Sequence, residues 1–532
     1  MNRYLVIFML STLLCFGSKY PENPFSPPVD KLMELSGTYG ELRPQHFHSG
    51  IDIKSKNGQA GEAILASANG YISRIRVSAV GYGNVVYIDH PNGYTTVYAH
   101  LDDFSPELKA FVTHYQARHH TFEIDIRPTE DLLPVCGGEV IGRMGNSGSS
   151  LGVHLHYEIR HTESETPLDP LNWPWNYKDD AAPYIQELYI YQLNPENYCI
   201  HKKRLRAWGP SASRSVSSHP LRMPEGPIAL GLRTYDPYNR WMNKNGISTI
   251  ELSHEDESKF HLVLDSIPFH YRDQFHLHID YDTYCERKQF VHQLFRSPEN
   301  NLPIYHPPDQ EGTFQVRHHD SLDFVITVSD RSGKNSKLFL SIVGDSSLNA
   351  PPLTDPKGIE REEICIAQEE GWQAAISVED YCSPITKDQS LRFDLENIPK
   401  DLYSKVYIAE ISGQKKKDMG GQIENHEIFT KMKQSGVFAL AVDTIAPRFR
   451  LSAQRLRPGG KIIGRIQNEV FSKYRHLDVQ YQVSLSGAYV PHEYDKKDKK
   501  LTIRIPENWS ETDTIKLELK DRLNNRRVYS FN

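Results

Sequence analysis

At 532 residues the chain is too long for one hydrophobic core, because cores stop growing at roughly 250 to 300 residues and longer chains divide into domains. A formal net charge of -7 excludes a polycation that binds nucleic acid by neutralising phosphates. With 29 Tyr and equal counts of 33 Gly and 33 Pro, the composition is that of a folded, turn-rich and strand-rich chain rather than a disordered one.

The chain opens with Met1-Asn2-Arg3, an apolar run over residues 4–16, and then Gly17-Ser18. That order of a basic stretch, a short apolar core and small residues reads as a signal peptide over residues 1–18, so the mature chain is expected in the periplasm or outside the cell. The run is shorter than the roughly 20 residues a spanning helix needs, and no other stretch is suited to a bilayer, so no transmembrane segment is expected in the mature chain. Leu14 before Cys15 argues against lipid attachment. Export places Cys136, Cys199, Cys285, Cys365 and Cys382 in a disulfide-permissive compartment. Their odd number leaves at least one without a partner in the chain, and the spacing of Cys365 and Cys382 suggests a local staple.

From about residue 34 to 160 the chain is rich in Gly and His and falls into short alternating runs. Tyr71-Ile-Ser-Arg-Ile-Arg-Val77, Asn84-Val-Val-Tyr-Ile-Asp89 and Tyr94-Thr-Thr-Val-Tyr-Ala-His100 read as strands divided by Gly and Pro-Asn-Gly turns, an antiparallel β unit. Residues 105–118 read as a helix and 121–126 as a strand, together an insertion in that unit. Beyond Asp179-Asp-Ala-Ala-Pro183 glycine thins out and strands recur at sandwich-like spacing. A Pro-rich break lies at 349–356, and Asp443-Thr-Ile-Ala-Pro447 opens a last unit. A weak repeat links the modules: the strands Leu322-Asp-Phe-Val-Ile-Thr-Val328 and Ile515-Lys-Leu-Glu-Leu519 each lead into an Asp-Arg pair and a turn, as in immunoglobulin-like sandwiches. The expected division is therefore a signal peptide at 1–18, a catalytic unit at 19–182, a β-sandwich at 183–348, a β-rich domain at 349–442 and a C-terminal β-rich domain at 443–532. Lysine runs at 415–417 and 496–500 read as solvated hairpin tips or edge protection.

Chemistry concentrates in three segments. In Gly152-Val-His-Leu-His-Tyr-Glu-Ile-Arg160 the apolar residues alternate with His154, His156, Glu158 and Arg160, so a strand puts both histidines on one face. His48 and Asp52, in His46-Phe-His-Ser-Gly-Ile-Asp-Ile53, are an even number of residues apart and share a face of an extended segment, with Gly50 letting the backbone pass close. Val97-Tyr-Ala-His-Leu101 alternates again and is expected to put Tyr98 and His100 on one side. A catalytic zinc takes three protein ligands and leaves a position for water, and His48, Asp52 and one histidine of the pair complete that count. Each piece alone is ordinary; their conjunction with the Gly145-Asn-Ser-Gly-Ser-Ser-Leu-Gly152 loop is not. His46, His114, His119, His120 and His161 read as bystanders.

Leu35-Ser-Gly-Thr-Tyr-Gly-Glu-Leu-Arg43, His48-Ser-Gly-Ile-Asp52, Gly81-Tyr-Gly-Asn-Val-Val86, Tyr98-Ala-His-Leu101 and Gly152-Val-His-Leu-His-Tyr-Glu158 resemble the successive motifs of the lysostaphin/LytM family of zinc endopeptidases. The resemblance spans roughly residues 34–161. It implies a mainly β fold, an antiparallel LytM-like peptidase domain followed by immunoglobulin-like modules. It also implies that His48, Asp52 and His156 bind one zinc per chain, that His100 and His154 are the catalytic partners, and that peptidoglycan is the substrate. The segment between His100 and His154 is longer than in compact members. Envelope protein partners are expected through the C-terminal β modules, and a rival expectation for the whole chain is a non-catalytic envelope protein that regulates another cell-wall hydrolase.

Overall fold

The computed structural model describes residues 24–532 apart from internal segments, the longest being 349–359, 365–374, 380–389 and 468–478. The expected signal peptide and both Cys365 and Cys382 lie outside the described residues. Cys136, Cys199 and Cys285 are free thiols.

The chain is mainly β, as expected, and among the described strands the pairing is antiparallel except where Ser213–Ser215 and Leu221–Met223 run parallel to Asn335–Gly344. The N-terminal unit contains β1 (Leu35–Gly37), β2 (Leu42–Arg43), β3 (His46–Phe47), β4 (Ile51–Lys54), β5 (Ala63–Leu65), β6 (Gly70–Val77) and β7 (Asn84–Asp89). It continues with β8 (Tyr94–Phe104), α1 (Pro106–His119), β9 (Ile124–Ile126), β10 (Pro134–Val135), β11 (Val140–Met144), β12 (His154–His161) and β13 (Pro167–Leu168). Its main sheet runs β1-β4-β12-β8-β7-β6-β10, while β2 and β3 form a separate hairpin.

The predicted strands at 71–77, 84–89 and 94–100 are β6, β7 and the first part of β8. Alternation in β6 slips at a bulge between Ile72 and Arg74, so Ile72, Ile75 and Val77 are the residues that reach the core. The predicted helix is α1: Ser105 caps it by accepting from Leu108 N at 3.5 Å, Pro106 occupies its first turn, and it stops at His120 in the left-handed region at φ 52°. Leu108 and Val112 anchor it to the core.

The core of this unit gathers Met33, Ile51, Ile53, Tyr98, Leu155, Tyr157 and Trp173, among others. A second core, in the β module that follows, includes Leu188, Leu230, Phe260 and Phe324. Two residues of the N-terminal unit, Tyr39 and Phe47, belong to that second core. The Tyr39 hydroxyl donates to Pro167 O at 2.8 Å and accepts from Ile267 N at 2.7 Å. Phe47 lies edge-on to Phe275, with ring centroids 5.0 Å apart. The β2–β3 hairpin is thus held between two bodies. Further β modules have cores around Leu391–Leu440 and around Phe449–Phe531. The last of these returns to the insertion after α1: the Phe122 ring lies 5.9 Å from His492 and 6.5 Å from Tyr481.

The Asp-Arg repeat has a structural use. Arg331 Nε donates to Asp169 in the N-terminal unit at 2.8 Å, and Arg522 Nη2 donates to Asp418 in the preceding β module at 2.8 Å. Each turn carries a cation back to a carboxylate of an earlier body.

Phe47 is 8% exposed and directly precedes His48. Phe47→Ala should cost about 3 kcal/mol, as emptying a buried aromatic site usually does. A drop in the first thermal unfolding transition of the full chain is the measurement, and an unchanged transition would contradict the packing described.

Candidate metal centre

β12 is central to the site. It lies between β4 and β8, and its register sets His156 opposite Asp52 on one side and Ala99 on the other. His154 and His156 share a face, as alternation requires, while Leu155, Tyr157 and Ile159 enter the core. The polar face is not solvated: His156, Glu158 and Arg160 are buried too.

His48 and Asp52 reach the site by a different route from the one predicted. They do not share one extended strand, because β3 ends at Phe47 and β4 begins at Ile51. The connecting Gly50 passes over Tyr157 so closely that a Cβ there would lie 2.8 Å from Glu158 Cγ and closer still to Tyr157 O. Gly50 was expected to let the backbone pass between His48 and Asp52, and the close approach it permits is instead to β12.

Tyr98 and His100 do not lie on one side. Tyr98 points into the core, where it receives Ser67 N at 2.8 Å and packs on Tyr157, while His100 faces His154 with ring centroids 4.8 Å apart. The cause is backbone conformation: His100 sits at φ 62°, which breaks the alternation at the last residue of the predicted strand. The Gly145–Gly152 loop holds that turn. Gly83 at φ 66° and Gly148 at φ 70° pack against one another, Asn84 N donates to Ser147 Oγ at 2.9 Å, and Ser147 O faces His100 Nδ1 at 2.9 Å.

Three donor atoms converge. His48 Nε2 and His156 Nδ1 are 3.0 Å apart, and Asp52 Oδ1 lies 3.2 Å from the first and 3.0 Å from the second. Ligands bonded tetrahedrally at about 2.0–2.1 Å would be separated by roughly 3.3 Å, so the set fits a zinc-sized ion. The far atom of each ligand is fixed. His48 Nδ1 donates to Thr38 O at 2.8 Å, His156 Nε2 donates to Glu158 Oε1 at 2.7 Å, and Asp52 Oδ2 accepts from Arg43 Nη2 at 2.6 Å. Each partner selects the tautomer or lone pair that leaves the near atom free for a cation. His154 Nε2 stands 3.4 Å from Asp52 Oδ1, and the His100 ring centroid is 5.9 Å from that of His156.

Electrostatics agree with a cation-binding pocket. Burial, reinforced by Arg43 and His156, pulls His48 down to about 4. Burial also pulls down His156, but the carboxylates of Asp52 and Glu158 outweigh it and raise that group to about 9. Burial raises Asp52, yet the surrounding histidines more than offset it and hold the carboxyl well below its usual range. Burial with His156 and His154 nearby lowers His100 to about 3.

Sequence reasoning assigned no work to Glu158, Arg160, Tyr82, Ser49 or Arg43. Glu158 is fully buried and takes hydrogen bonds from His156, Ser49 at 2.7 Å, Tyr82 and Arg160 at 2.6 Å. The signal was present, since Glu158 and Arg160 alternate in phase with the two histidines. Of the expected bystanders, His161 stacks on Tyr94, His119 lies against Tyr115, His120 lies against Tyr489, and His46 Nδ1 contacts Pro44 O at 3.0 Å.

Residues 46–117 match the model of Peptidase family M23. The chain contains an M23 domain. Among curated relatives, the DD-carboxypeptidase/endopeptidase Mpg of Neisseria meningitidis is 39% identical over 131 residues, which are 25% of this chain and 24% of that protein. The murein hydrolase activator NlpD of Escherichia coli is 31% identical over 143 residues, 27% of this chain and 29% of that protein. The chain thus spans only about a quarter of the length of these relatives. Among solved structures, a mutant form of the catalytic domain of the prophage-encoded M23 protein EnpA from Enterococcus faecalis aligns at 23% identity with a TM-score of 0.20, covering 27% of this chain and 95% of that one. Residues 365–443 match a Zu5-like domain.

Because a Cβ at position 50 would collide with the main chain of β12, Gly50→Ala in the M23 domain should cost about 1–3 kcal/mol of stability. Urea unfolding followed by tryptophan fluorescence measures it, and a neutral result would mean that the backbone has room the structure does not give it.

Proposed function

We propose that the chain is a zinc-dependent endopeptidase that hydrolyses peptide bonds in the crosslinks or stem peptides of peptidoglycan. The observation that carries the reading is the donor triad of His48 Nε2, Asp52 Oδ1 and His156 Nδ1, each anchored behind by its own partner. Zinc held there would supply Lewis acidity, polarising the scissile carbonyl and lowering the pKa of water toward about 7. His48, Asp52 and His156 are its ligands. His100 and His154 take the two remaining tasks, accepting the water proton and hydrogen-bonding the developing oxyanion. Both have Nδ1 committed to a main-chain carbonyl, Ser147 O and Gly152 O at 2.9 Å each, which leaves Nε2 for that work. The buried Glu158 keeps His156 in the tautomer that binds metal. On this reading the chain is exported to the cell envelope.

A second reading has one observation in its favour, the similarity to a protein named as a murein hydrolase activator. In that case the M23 domain binds an envelope hydrolase instead of cutting the wall. Nothing in such a role calls for three oriented metal donors with two further histidines beside them, and we favour the enzyme.

Two sets of experiments test the proposal. The purified protein should hold one zinc per chain, and because metal-free His156 carries a proton up to about pH 9, zinc uptake at pH 7 should release about one proton. The sign follows directly: as pH falls below the His156 pKa, metal competes with more bound proton, so zinc affinity should fall about tenfold per pH unit. Calorimetry in buffers of different ionisation enthalpy counts the proton.

Alanine variants then divide ligand from catalyst. His156→Ala should lose zinc and activity together. His154→Ala and His100→Ala should keep zinc while hydrolysis of isolated cell wall falls by roughly 10² to 10⁴. Wild-type protein that binds zinc but releases no peptide fragments from purified peptidoglycan would favour the regulator.

A further inference from the structure

A second constellation of ligating groups lies away from the M23 site, where the N-terminal unit meets the β module after it. Asp179, Asp236 and Asp330 each offer a carboxylate oxygen, all within 4.8 Å of one another. They come from three places: the connection leading into the second unit, the long strand Gly226–Tyr238, and the turn between Ser321–Ser329 and Asn335–Gly344. The three carboxylates and Asn245 line one cavity of about 20 Å³. A space of that size takes a single ion or water and no organic ligand.

Three carboxylates alone would be no more than an acidic cluster. Asn245 is the independent observation. Strand pairing sets it directly opposite Asp236, so both side chains rise from the same face. Asn245 is 3% exposed, and its amide oxygen has no hydrogen-bond partner. Asp236 is 8% exposed with Oδ1 likewise unpartnered, and Asp330 is 7% exposed with Oδ2 unpartnered. Three buried acceptor oxygens that no side chain or main-chain N–H among the described residues satisfies line this one small cavity, which is costly, and a hard cation satisfies all of them at once.

Cations near the site are engaged elsewhere: Lys178 and Arg331 line the cavity, but Lys178 pairs with Asp180 at 3.6 Å and Arg331 with Asp169 at 2.8 Å. Lys334 Nζ contacts Asp179 at 3.0 Å and Ser332 Oγ at 2.7 Å, which leaves the other two carboxylates without an ion-pair partner among the described residues. Burial and the neighbouring Asp179 and Asp330 push Asp236 up to about 8. A later junction, between the last two β modules, is built differently. There Asp443 repeats the turn of Asp179, each accepting the main-chain N–H two residues on, and Asp521 repeats the position of Asp330. Lys405, donating to Leu523 O at 2.6 Å and Asn525 Oδ1 at 2.7 Å, supplies positive charge beside Asp443. At the first junction Asp236 brings a third carboxylate oxygen within 4.8 Å of the other two, and Lys334 contacts only Asp179 of them.

We propose that Asp179, Asp236, Asp330 and the amide oxygen of Asn245 bind one divalent cation of the calcium class, which clamps the second unit onto the M23 domain. All-oxygen donors of mixed carboxylate and amide type suit calcium and not zinc, which prefers nitrogen and sulfur. The clamp lies next to the site's support. Asn245 precedes Gly246, whose carbonyl accepts from Thr38 Oγ1 at 3.1 Å, and Thr38 O is the acceptor that orients His48.

The test is calcium titration of the full zinc-loaded chain by isothermal calorimetry. One saturable site is expected within the range of extracellular modules, a Kd of about 10⁻⁴ to 10⁻³ M. Asp236→Asn and Asn245→Ala should each weaken it by about tenfold or more, as the loss of a charged or neutral ligand does. His48→Ala should leave calcium binding intact, which separates this site from the M23 centre. In calcium-free buffer Asp236→Asn should melt no lower than wild type, because it relieves repulsion among buried carboxylates, whereas calcium should raise the midpoint of wild type alone. If Asp236→Asn does not fold, Asn245→Ala decides by the same titration. Absence of saturable binding up to about 10 mM calcium, or equal affinity in the wild type and both ligand variants, overturns the proposal.

Discussion

Glu158 is the group on which the site depends. Its carboxylate has no access to water, and a buried charge survives only when paired and hydrogen-bonded on all sides. Arg160 binds one oxygen, while Ser49, Tyr82 and His156 converge on the other. Burial raises the carboxyl, but Arg160 and His156 outweigh it and keep it ionised. The consequence reaches the metal donors in one step. An ionised Glu158 holds the proton on His156 Nε2, so Nδ1 is the atom turned toward Asp52 and His48. A neutral residue at 158 would leave the ring free to flip and the donor triad without a fixed geometry. Tyr82 adds to this by stacking on the His156 ring at 5.2 Å between centroids.

How much of this could be read beforehand differs by element. The period-2 pattern of β12 put His154 and His156 on one face correctly, and it put Glu158 and Arg160 there as well, although the pattern does not say that this face is covered. The strands at 71–77 and 84–89 and the capped helix at 106–119 were legible because their signals are local. His100 was not, since a histidine at φ 62° follows from the Ser147 carbonyl and the interlocked Gly83 and Gly148, contacts between segments more than 40 residues apart. The path from His48 to Asp52 was misread for a similar reason: the strand breaks at Ser49 and Gly50 so that the chain can cross Tyr157. The cation cluster had no signal at all, because Asp179, Asp236, Asn245 and Asp330 are scattered over the sequence and meet only through the junction.

The modules beyond the M23 domain are docked by recurring devices. Asp-Arg turns place Arg331 on Asp169 and Arg522 on Asp418, and the Asp179 and Asp443 turns begin the unit that follows each connection. The weak repeat in the sequence marks these docking corners more than it marks the sandwich interiors. Tyr39 and Phe47 make the first junction more than a corner, because they give part of the M23 domain's own hairpin to the core of its neighbour. The second unit is accordingly a buttress for the segment that presents Thr38, Arg43 and His48.

The C-terminal unit completes the enclosure from the other side. Its ring contacts fall on Phe122 and His120, in the connection between α1 and β9. Lys497, in the turn between His492–Asp495 and Lys500–Arg504, reaches Asn146 O in the loop that fixes His100. The lysine run there is thus partly a contact and not only a solvated tip. The insertion has a structural reason on this view: it is the surface that receives the last module and brings it over the Gly145–Gly152 loop. The histidine site is then braced by the second unit beneath His48 and by the C-terminal unit beside His100. Modules whose sequences carry none of the site's chemistry thus touch the segments that position it.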